Sequence, residues 1–372
     1  MPAPSETRPY ALVFIGTKAQ FIKTAPVLSE MDRQGLAYRL IYTGQHSETF
    51  DLLEKSFQTQ PPDETIVPSF EADTHVSFLR WTLRFWSAAV RRIRSPDWRH
   101  ASVALVHGDT ASALFGALAA RLAGVPVAHI EAGLRSARLL EPFPEELIRR
   151  WVAYLVQLHF APDTSAVENL RHIRSHVVNT EGNTLRDALR MTLQQHALHP
   201  EGGYGGYGVV SLHRNENLSQ KNTFEQLMRE VAETAAITPL IFVLHPATRA
   251  KLTRTGWDQR LSRVSGLRLV PRMDYPDFIK LLLGASFLLT DGGSNQEEAA
   301  MMGLPTFLLR RETERSDGLG DVVKISGLAA GEMTDFARKN SGRRWVLRNI
   351  PEDSPSKIIT NELTKIFGIT KK

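Results

Sequence analysis

Four carboxylates of the chain fall where chemistry collects in α/β proteins. Asp109 lies in Val106-His107-Gly108-Asp109-Thr110, and Glu131, Glu145 and Glu146 lie in the run EAGLRSARLLEPFPEELIRR from 131 to 150. Both segments follow apolar runs of strand length, and loops at the carboxyl ends of parallel strands are where such sheets bind ligands. Several acids in one place suit proton transfer. Burial or mutual repulsion holds one protonated at neutral pH while another stays ionised, and the sequence leaves open which is which.

A second group of residues suits anions. Thr290-Asp291-Gly292-Gly293-Ser294-Asn295-Gln296-Glu297-Glu298 follows an apolar run and opens a helical pattern. Gly292, Gly293 and Ser294 let the backbone approach a diphosphate, which free N–H groups and the helix dipole favour. Glu298, one turn in, is placed to accept both ribose hydroxyls, and Arg311 and Arg315 follow in the next loop. The plainer reading is a helix start with a tight turn; the acids and arginines that follow weigh for the anion site. Gly16-Thr17-Lys18-Ala19-Gln20-Phe21-Ile22-Lys23 has the same strand-then-helix form. Lys23 reaches from the first helical turn toward ligand, or is simply solvated. His213, beside Arg214, ends another apolar run and serves as a neutral hydrogen-bond donor, as an acid/base, or merely as a cap. His245-Pro246 reads as structural. The histidines show no compact metal-ligand spacing, so no metal is expected.

The elements that must position these residues alternate between strand-length apolar runs and longer helical patterns, the signature of parallel α/β architecture. Expected strands are 11–16, 38–43, 102–107 and 125–130, with a helix over 113–122 and a strand closing the first sheet just before 181. A second series follows the glycine-rich 202–208: 209–212, 240–244, 267–270, 287–290 and 305–309. Two doubly wound domains result, 1–181 and 182–354, with a helix over about 355–372 packing back on the first. The 372 residues exceed what one core usually fills. Facing across a cleft, such domains suit a nucleotide sugar, one domain holding the nucleotide and the other the sugar.

Composition narrows the class. The chain has no cysteine, which removes disulfides and thiolate chemistry, and no stretch reads as a signal peptide or membrane helix, so a cytoplasmic location is expected. A net charge of +5 is modest at this length and does not by itself indicate nucleic acid; an anionic substrate suffices to account for it, and no nucleic-acid partner is expected. The segment 78–100 has apolar and aromatic residues at helical spacing with arginines on the remaining face. It reads as a helix packed on the sheet, with peripheral contact to an anionic membrane as the sharper alternative.

These motifs, in order and at matching intervals, resemble the UDP-N-acetylglucosamine 2-epimerase family. The resemblance rests on GTKAQFIKTAPV, TGQH at 43–46, VHGDT, HIEAGLR at 129–135, PFPEE at 142–146, GNT at 182–184, DGGSNQEE and ETER. It implies a GT-B fold of two Rossmann-like domains, with Asp109, Glu131 and Glu145 as catalytic acids and His213 at the diphosphate. Lys18, Lys23, Gln45, Arg135, Arg149, Gly292, Gly293, Ser294, Glu298 and Arg315 then fall at nucleotide-sugar or active-site positions, and Phe278 where an aromatic packs on uracil. The implied reaction expels UDP, removes the C2 proton to give 2-acetamidoglucal, and re-adds both on the way to the mannosamine epimer, with no cofactor. A UDP-sugar substrate and a homodimer are implied as partners.

The chain departs from the family where Lys18, Ala19 and Gln20 replace Arg-Pro-Glu, where Ile148 replaces an Asn, and where 66–75 lacks the Arg-Gln pair of an allosteric UDP-sugar site. Lys18 offers a point charge in place of a planar fork. A non-hydrolysing epimerase of surface-polysaccharide synthesis is the leading expectation. A hydrolysing relative and a glycosyltransferase on the same scaffold are the alternatives.

Overall fold

The computed structural model describes residues 9–45, 50–68, 70, 75–136, 144–197, 206–313 and 315–368. His46 of TGQH, Pro142 and Phe143 of PFPEE, Glu314 of ETER, the glycine-rich 202–205 and residues 69 and 71–74 lie outside it. Two compact units divide the chain, the first made of Met1–Met191 with Glu352–Lys372 and the second of Thr192–Pro351.

The first unit runs β1 (Tyr10–Ile15), α1 (Lys18–Gln34), β2 (Ala37–Tyr42), α2 (Phe50–Phe57), β3 (Glu64–Thr65), α3 (His75–Ile93) and α4 (Pro96–Arg99). It continues through β4 (Val103–His107), α5 (Ala111–Leu122), β5 (Val127–Ile130), α6 (Glu145–Leu155), β6 (Leu158–Ala161), α7 (Thr164–Leu170), β7 (His176–Asn179) and α8 (Leu185–Gln195). The second runs β8 (Gly208–Leu212), α9 (Asn215–Ser219), α10 (Lys221–Ala235), β9 (Leu240–Leu244), α11 (Pro246–Thr255), α12 (Trp257–Leu261), β10 (Leu267–Pro271) and α13 (Tyr275–Leu283). It closes with β11 (Phe287–Thr290), α14 (Gly293–Met302), β12 (Thr306–Leu308), β13 (Val323–Ile325) and α15 (Glu332–Asn340), before the chain returns to the first unit as α16 (Pro355–Ile366).

Among the described residues each unit holds one parallel sheet, ordered β3-β2-β1-β4-β5-β6-β7 and β10-β9-β8-β11-β12-β13. Both follow the Rossmann-like order in which the winding reverses between the first strand and the fourth. β1 (YALVFI) and β4 (VALVH) are buried almost throughout, as central strands covered on both faces must be. In the first unit the Phe115 ring of α5 lies 5.3 Å from Trp81 and 5.5 Å from Phe85 of α3, closing that face of the sheet. The core of the second unit is built on Phe224, Phe242, Phe287 and Phe307, all fully buried.

Where the described elements differ from the sequence expectation, local chemistry explains it. The one helix expected over 78–100 is two, because Pro96 has no amide hydrogen and its ring bars helix in the residue before it. The short strands β3, β6 and β13 were not expected; two, four and three residues carry too little alternation to stand out in the sequence. The division between units falls after Met191, where the sequence had suggested 181. Leu185, Ala188 and Leu189 of α8 are buried, and Asp187 accepts hydrogen bonds from Ser354 Oγ (3.0 Å) and the Ser356 amide (2.8 Å) at the start of α16. Gln34 of α1 binds the same helix through Thr360 Oγ1 (3.0 Å) and Thr364 Oγ1 (3.1 Å).

Candidate active site

In the first unit the winding reverses between β1 and β4, and the loops leaving those strands are fastened together by one side chain. Gln20 Nε2 donates to the His107 carbonyl (2.7 Å) and Thr110 Oγ1 (2.8 Å), while its Oε1 accepts from the Gly16 (2.8 Å) and Thr17 (3.1 Å) amides. With Thr17 capping α1 in return, the pair forms a capping box, so Gln20 is a brace. Gly16 is required by packing: a Cβ there would lie 1.8 Å from Ser112 Oγ. Gln45 Oε1 accepts from Ser112 Oγ (2.7 Å) and its amide (3.2 Å), so this expected substrate residue tethers the start of α5. Lys18 opens α1, half-buried.

Glu131, immediately after β5, has φ of +64°, a left-handed conformation uncommon outside glycine. Its side chain is over-determined. Oε1 accepts from Lys23 Nζ (2.7 Å) and Asn183 Nδ2 (2.6 Å), and Oε2 lies 3.7 Å from His107 Nδ1. Lys23 and Glu131 form an ion pair with both side chains nearly buried, so removing either partner would strand a buried charge. Asp109 Oδ2 receives Arg149 Nη2 at 2.5 Å. Arg149 lies one turn beyond Glu145 on α6, so Glu145 and Arg149 share the helix face that meets Asp109.

The adjacent acid behaves differently. Glu146 is fully buried; Oε1 accepts from Arg150 Nε (2.9 Å), Oε2 accepts from the Ser136 amide (3.2 Å), and Arg149 Nη1 lies 3.5 Å away. It is an anchor for α6. Ile148 between them enters the core, and Arg135 Nη1 donates to the Leu134 carbonyl (2.8 Å), its pKa lowered by burial. Behind the acids, His129 and His159 are buried side by side on β5 and β6. Burial lowers their pKa values to about 4 and about 3, so both are neutral, and His129 Nε2 donates to the Gly108 carbonyl (2.8 Å).

In the second unit the reversal lies between β8 and β11, where His213 and the Asp291-Gly292-Gly293 turn emerge. Asp291 is fully buried and accepts from the His213 amide (2.9 Å), the Arg214 amide (3.0 Å) and Asn217 Nδ2 (3.1 Å). The His213 ring follows, with Nδ1 3.4 Å from Asp291 Oδ1. Burial lowers its pKa; Asp291 opposes the shift, and the cations Arg214, Arg272 and Arg310 add to it. The ring packs against Gly292 so closely that a Cβ there would come within 2.8 Å of His213 Cε1. Gly292 caps α14, whose first residues Gly293 and Ser294 present the amides and the positive dipole end that suit a phosphate.

Around this turn, Glu298 is buried beside the Tyr275 phenol, whose ionisation burial and that carboxylate together push far up. Arg315 is ion-paired with Glu297 rather than presented alone. Phe278 is half-buried on α13. His245, read as structural, places its ring 5.3 Å from His213. Sequence reasoning also passed over His107, Asn183 and Asp291 as site residues, although each stands at or just beyond the carboxyl end of a strand, the one signal available for them.

Comparison with known proteins follows the same lines. The model of the UDP-N-acetylglucosamine 2-epimerase family matches residues 29–332. The UDP-N-acetylglucosamine 2-epimerase of Bacillus subtilis (strain 168) is 30% identical over 344 residues, covering 88% of this chain and 86% of that protein. A crystal structure of the Neisseria meningitidis UDP-GlcNAc 2-epimerase bound to UDP-GlcNAc superposes with a TM-score of 0.79 at 26% identity, covering 96% of this chain and 100% of that one. The Methanocaldococcus jannaschii UDP-GlcNAc 2-epimerase, in complex with UDP-GlcNAc and UDP, shares the fold at a TM-score of 0.83 and 24% identity, covering 96% and 99%. With two Rossmann-like units, acids after β4 and β5 and a glycine turn opening α14, the chain belongs to the UDP-N-acetylglucosamine 2-epimerase family.

Proposed function

We propose that the protein is a cytoplasmic, non-hydrolysing epimerase that interconverts UDP-N-acetylglucosamine and UDP-N-acetylmannosamine. The observation that carries this reading is Glu131, a carboxylate fixed in a left-handed backbone and held in place by hydrogen bonds from Lys23 and Asn183, in the same loop cluster as the Asp109–Arg149 pair. A carboxylate so held is a base in place before substrate arrives. It takes the C2 proton of the sugar as the anomeric C–O bond breaks. The C–H electrons become the C1=C2 bond of 2-acetamidoglucal, and the C–O pair leaves with UDP. Return of a proton to the opposite face of C2, with attack of the UDP oxygen on C1, gives the epimer, so atoms balance without an oxidant.

The C2 proton is weakly acidic, and the step needs a stabilised leaving group as much as a base. The α14 N-terminus with Gly292, Gly293 and Ser294, together with His213, is assigned to the diphosphate. Phe278 is assigned to uracil, and Glu298 to the ribose hydroxyls.

The test is incubation of the purified protein with UDP-N-acetylglucosamine in deuterated water, followed by NMR. Deuterium at C2 in both UDP-sugars is expected. Free N-acetylmannosamine with UDP would assign the hydrolysing reaction instead, and absence of both products would overturn the epimerase reading.

A further inference from the structure

The second unit carries a charge imbalance that neither its glycine turn nor His213 accounts for. From the start of α11 to the residue after β10, positions 246–272 hold seven basic side chains against one acid, Asp258. This single tract exceeds the net charge of +5 carried by all 372 residues. Arg249, Arg254, Arg263 and Arg268 are exposed, and none of them has an acid partner among the described residues, so their field is not cancelled at its source. Charge on an edge strand discourages pairing with another sheet, which accounts for Arg268 on β10. Arg249 and Arg254 lie on α11, where that reason does not apply.

Those two arginines line a cavity of about 600 Å³ together with Arg272 and the apolar Leu244, Pro246 and Pro271, and no acid is among its described lining residues. The cavity lies where β9 and β10 end, on the same carboxyl edge from which His213 emerges after β8. Strands of one sheet stand ~4.8 Å apart, which puts the cavity within about 10 Å of the end of β8. Side chains make the same link. Leu244 and Pro246 flank His245, whose ring lies 5.3 Å from that of His213, and Arg272 is among the cations that act on the His213 ring.

We infer that this cavity is an electrostatic guide, in which Arg249, Arg254 and Arg272 draw in the diphosphate of a UDP-sugar and pass it to His213 and the start of α14. A cleft with one sign of charge and apolar walls concentrates the field, and steering of this kind raises association rates roughly 10- to 1,000-fold. Arginine suits the task because its charge persists at any working pH. Arg249 stands about one helical turn beyond His245 and Arg254 about two and a half, so the charges form a path that ends at Arg272 and Arg214 beside His213. The inference rests on the assignment of the diphosphate to His213 and α14. Charges along an approach path act on association, whereas contacts to bound ligand act on dissociation, and that difference makes the guide testable.

The test is stopped-flow mixing of the full chain with UDP, followed by intrinsic fluorescence, with calorimetry supplying the affinity. Between about 10 mM and about 1 M salt the Debye length shrinks from about 30 Å to about 3 Å, so the wild-type association rate should fall about tenfold or more. Arg249→Gln with Arg254→Gln should slow association about fivefold at the low-salt end, converge with wild type at the high-salt end, and leave dissociation within about twofold. Arg338→Gln with Lys339→Gln removes the same charge from exposed positions on α15 and should leave association within about twofold of wild type. An unchanged association rate in the first variant, an equal loss in the second, or a loss confined to dissociation would overturn the guide and leave the diphosphate assignment standing. Absence of UDP binding by the wild type would remove that assignment, and the guide with it.

Discussion

Asp109 and Glu131 are each paired with an adjacent cation, yet their settings differ: the Asp109 side chain is a quarter exposed and the Glu131 side chain almost buried. Asp109→Asn keeps the shape and removes the charge, and should abolish C2 deuterium incorporation while UDP binding, measured by calorimetry, stays within a few fold. Exchange that persists would remove Asp109 from the proton-transfer step. Asn183 contributes differently, by donating to Glu131 Oε1 at 2.6 Å from the loop that follows β7. Asn183→Ala should lower kcat about 10- to 100-fold with little change in KM, the pattern for a group that aims the base without touching substrate. Its sequence signal was weak, because GNT reads as an ordinary turn until the fold carries β7 round to the end of β5. Glu146 shows the converse: beside Glu145 in sequence it looks equally catalytic, and only its burial against Arg150 reveals an anchor.

At the scale of elements, two loops and one helix terminus do the positioning. The start of α14 was legible because glycines after a strand and before a helix have few other uses. Its dependence on the neighbouring loop was not. Gly292 is needed less for its own backbone, with φ of −84°, than because the His213 ring occupies the space a side chain would fill. Gly292→Ala should push His213 from the helix terminus and weaken UDP binding about tenfold, with a melting temperature within a few degrees of wild type. Unchanged affinity would separate His213 from the diphosphate. In the first unit the Gln20 brace explains how a family position changes without loss of the loop: both functions of its amide, accepting from the Gly16 and Thr17 amides and donating to the β4 loop, are filled. Replacing Gln20 with Leu should cost about 1–3 kcal/mol by leaving buried donors and an acceptor unpaired, measurable by urea unfolding.

For the molecule as a whole, the neutral histidines behind the acids set an acid limit. The native chain holds no proton on His129 until about pH 4 or on His159 until about pH 3, whereas unfolded histidines take theirs near pH 6.5. Below that pH the unfolded state binds more protons, so stability falls as pH falls, by about 1.4 kcal/mol per unit for each histidine. Urea midpoints should therefore drop steeply from pH 6.5 to pH 4, and a His129→Gln, His159→Gln pair should flatten the slope. An equal slope in that variant would assign the acid sensitivity to other groups. The same scale holds the two-unit division. The alternation of strands and helices announces two sheets, but the return of α16 to α1 depends on Asp187 and Gln34, whose partners lie more than a hundred residues away in the chain.

The sequence by itself determined the architecture and the candidate acids, because strand periodicity, glycine turns and ordered motifs are local properties that survive without coordinates. Tertiary structure alone decided which acids are paired with which cations, which are anchors, and which unremarked residues hold them in place. Those outcomes depend on burial and on distances of a few ångströms between side chains brought together from separate strands, and neither is a property of any one segment.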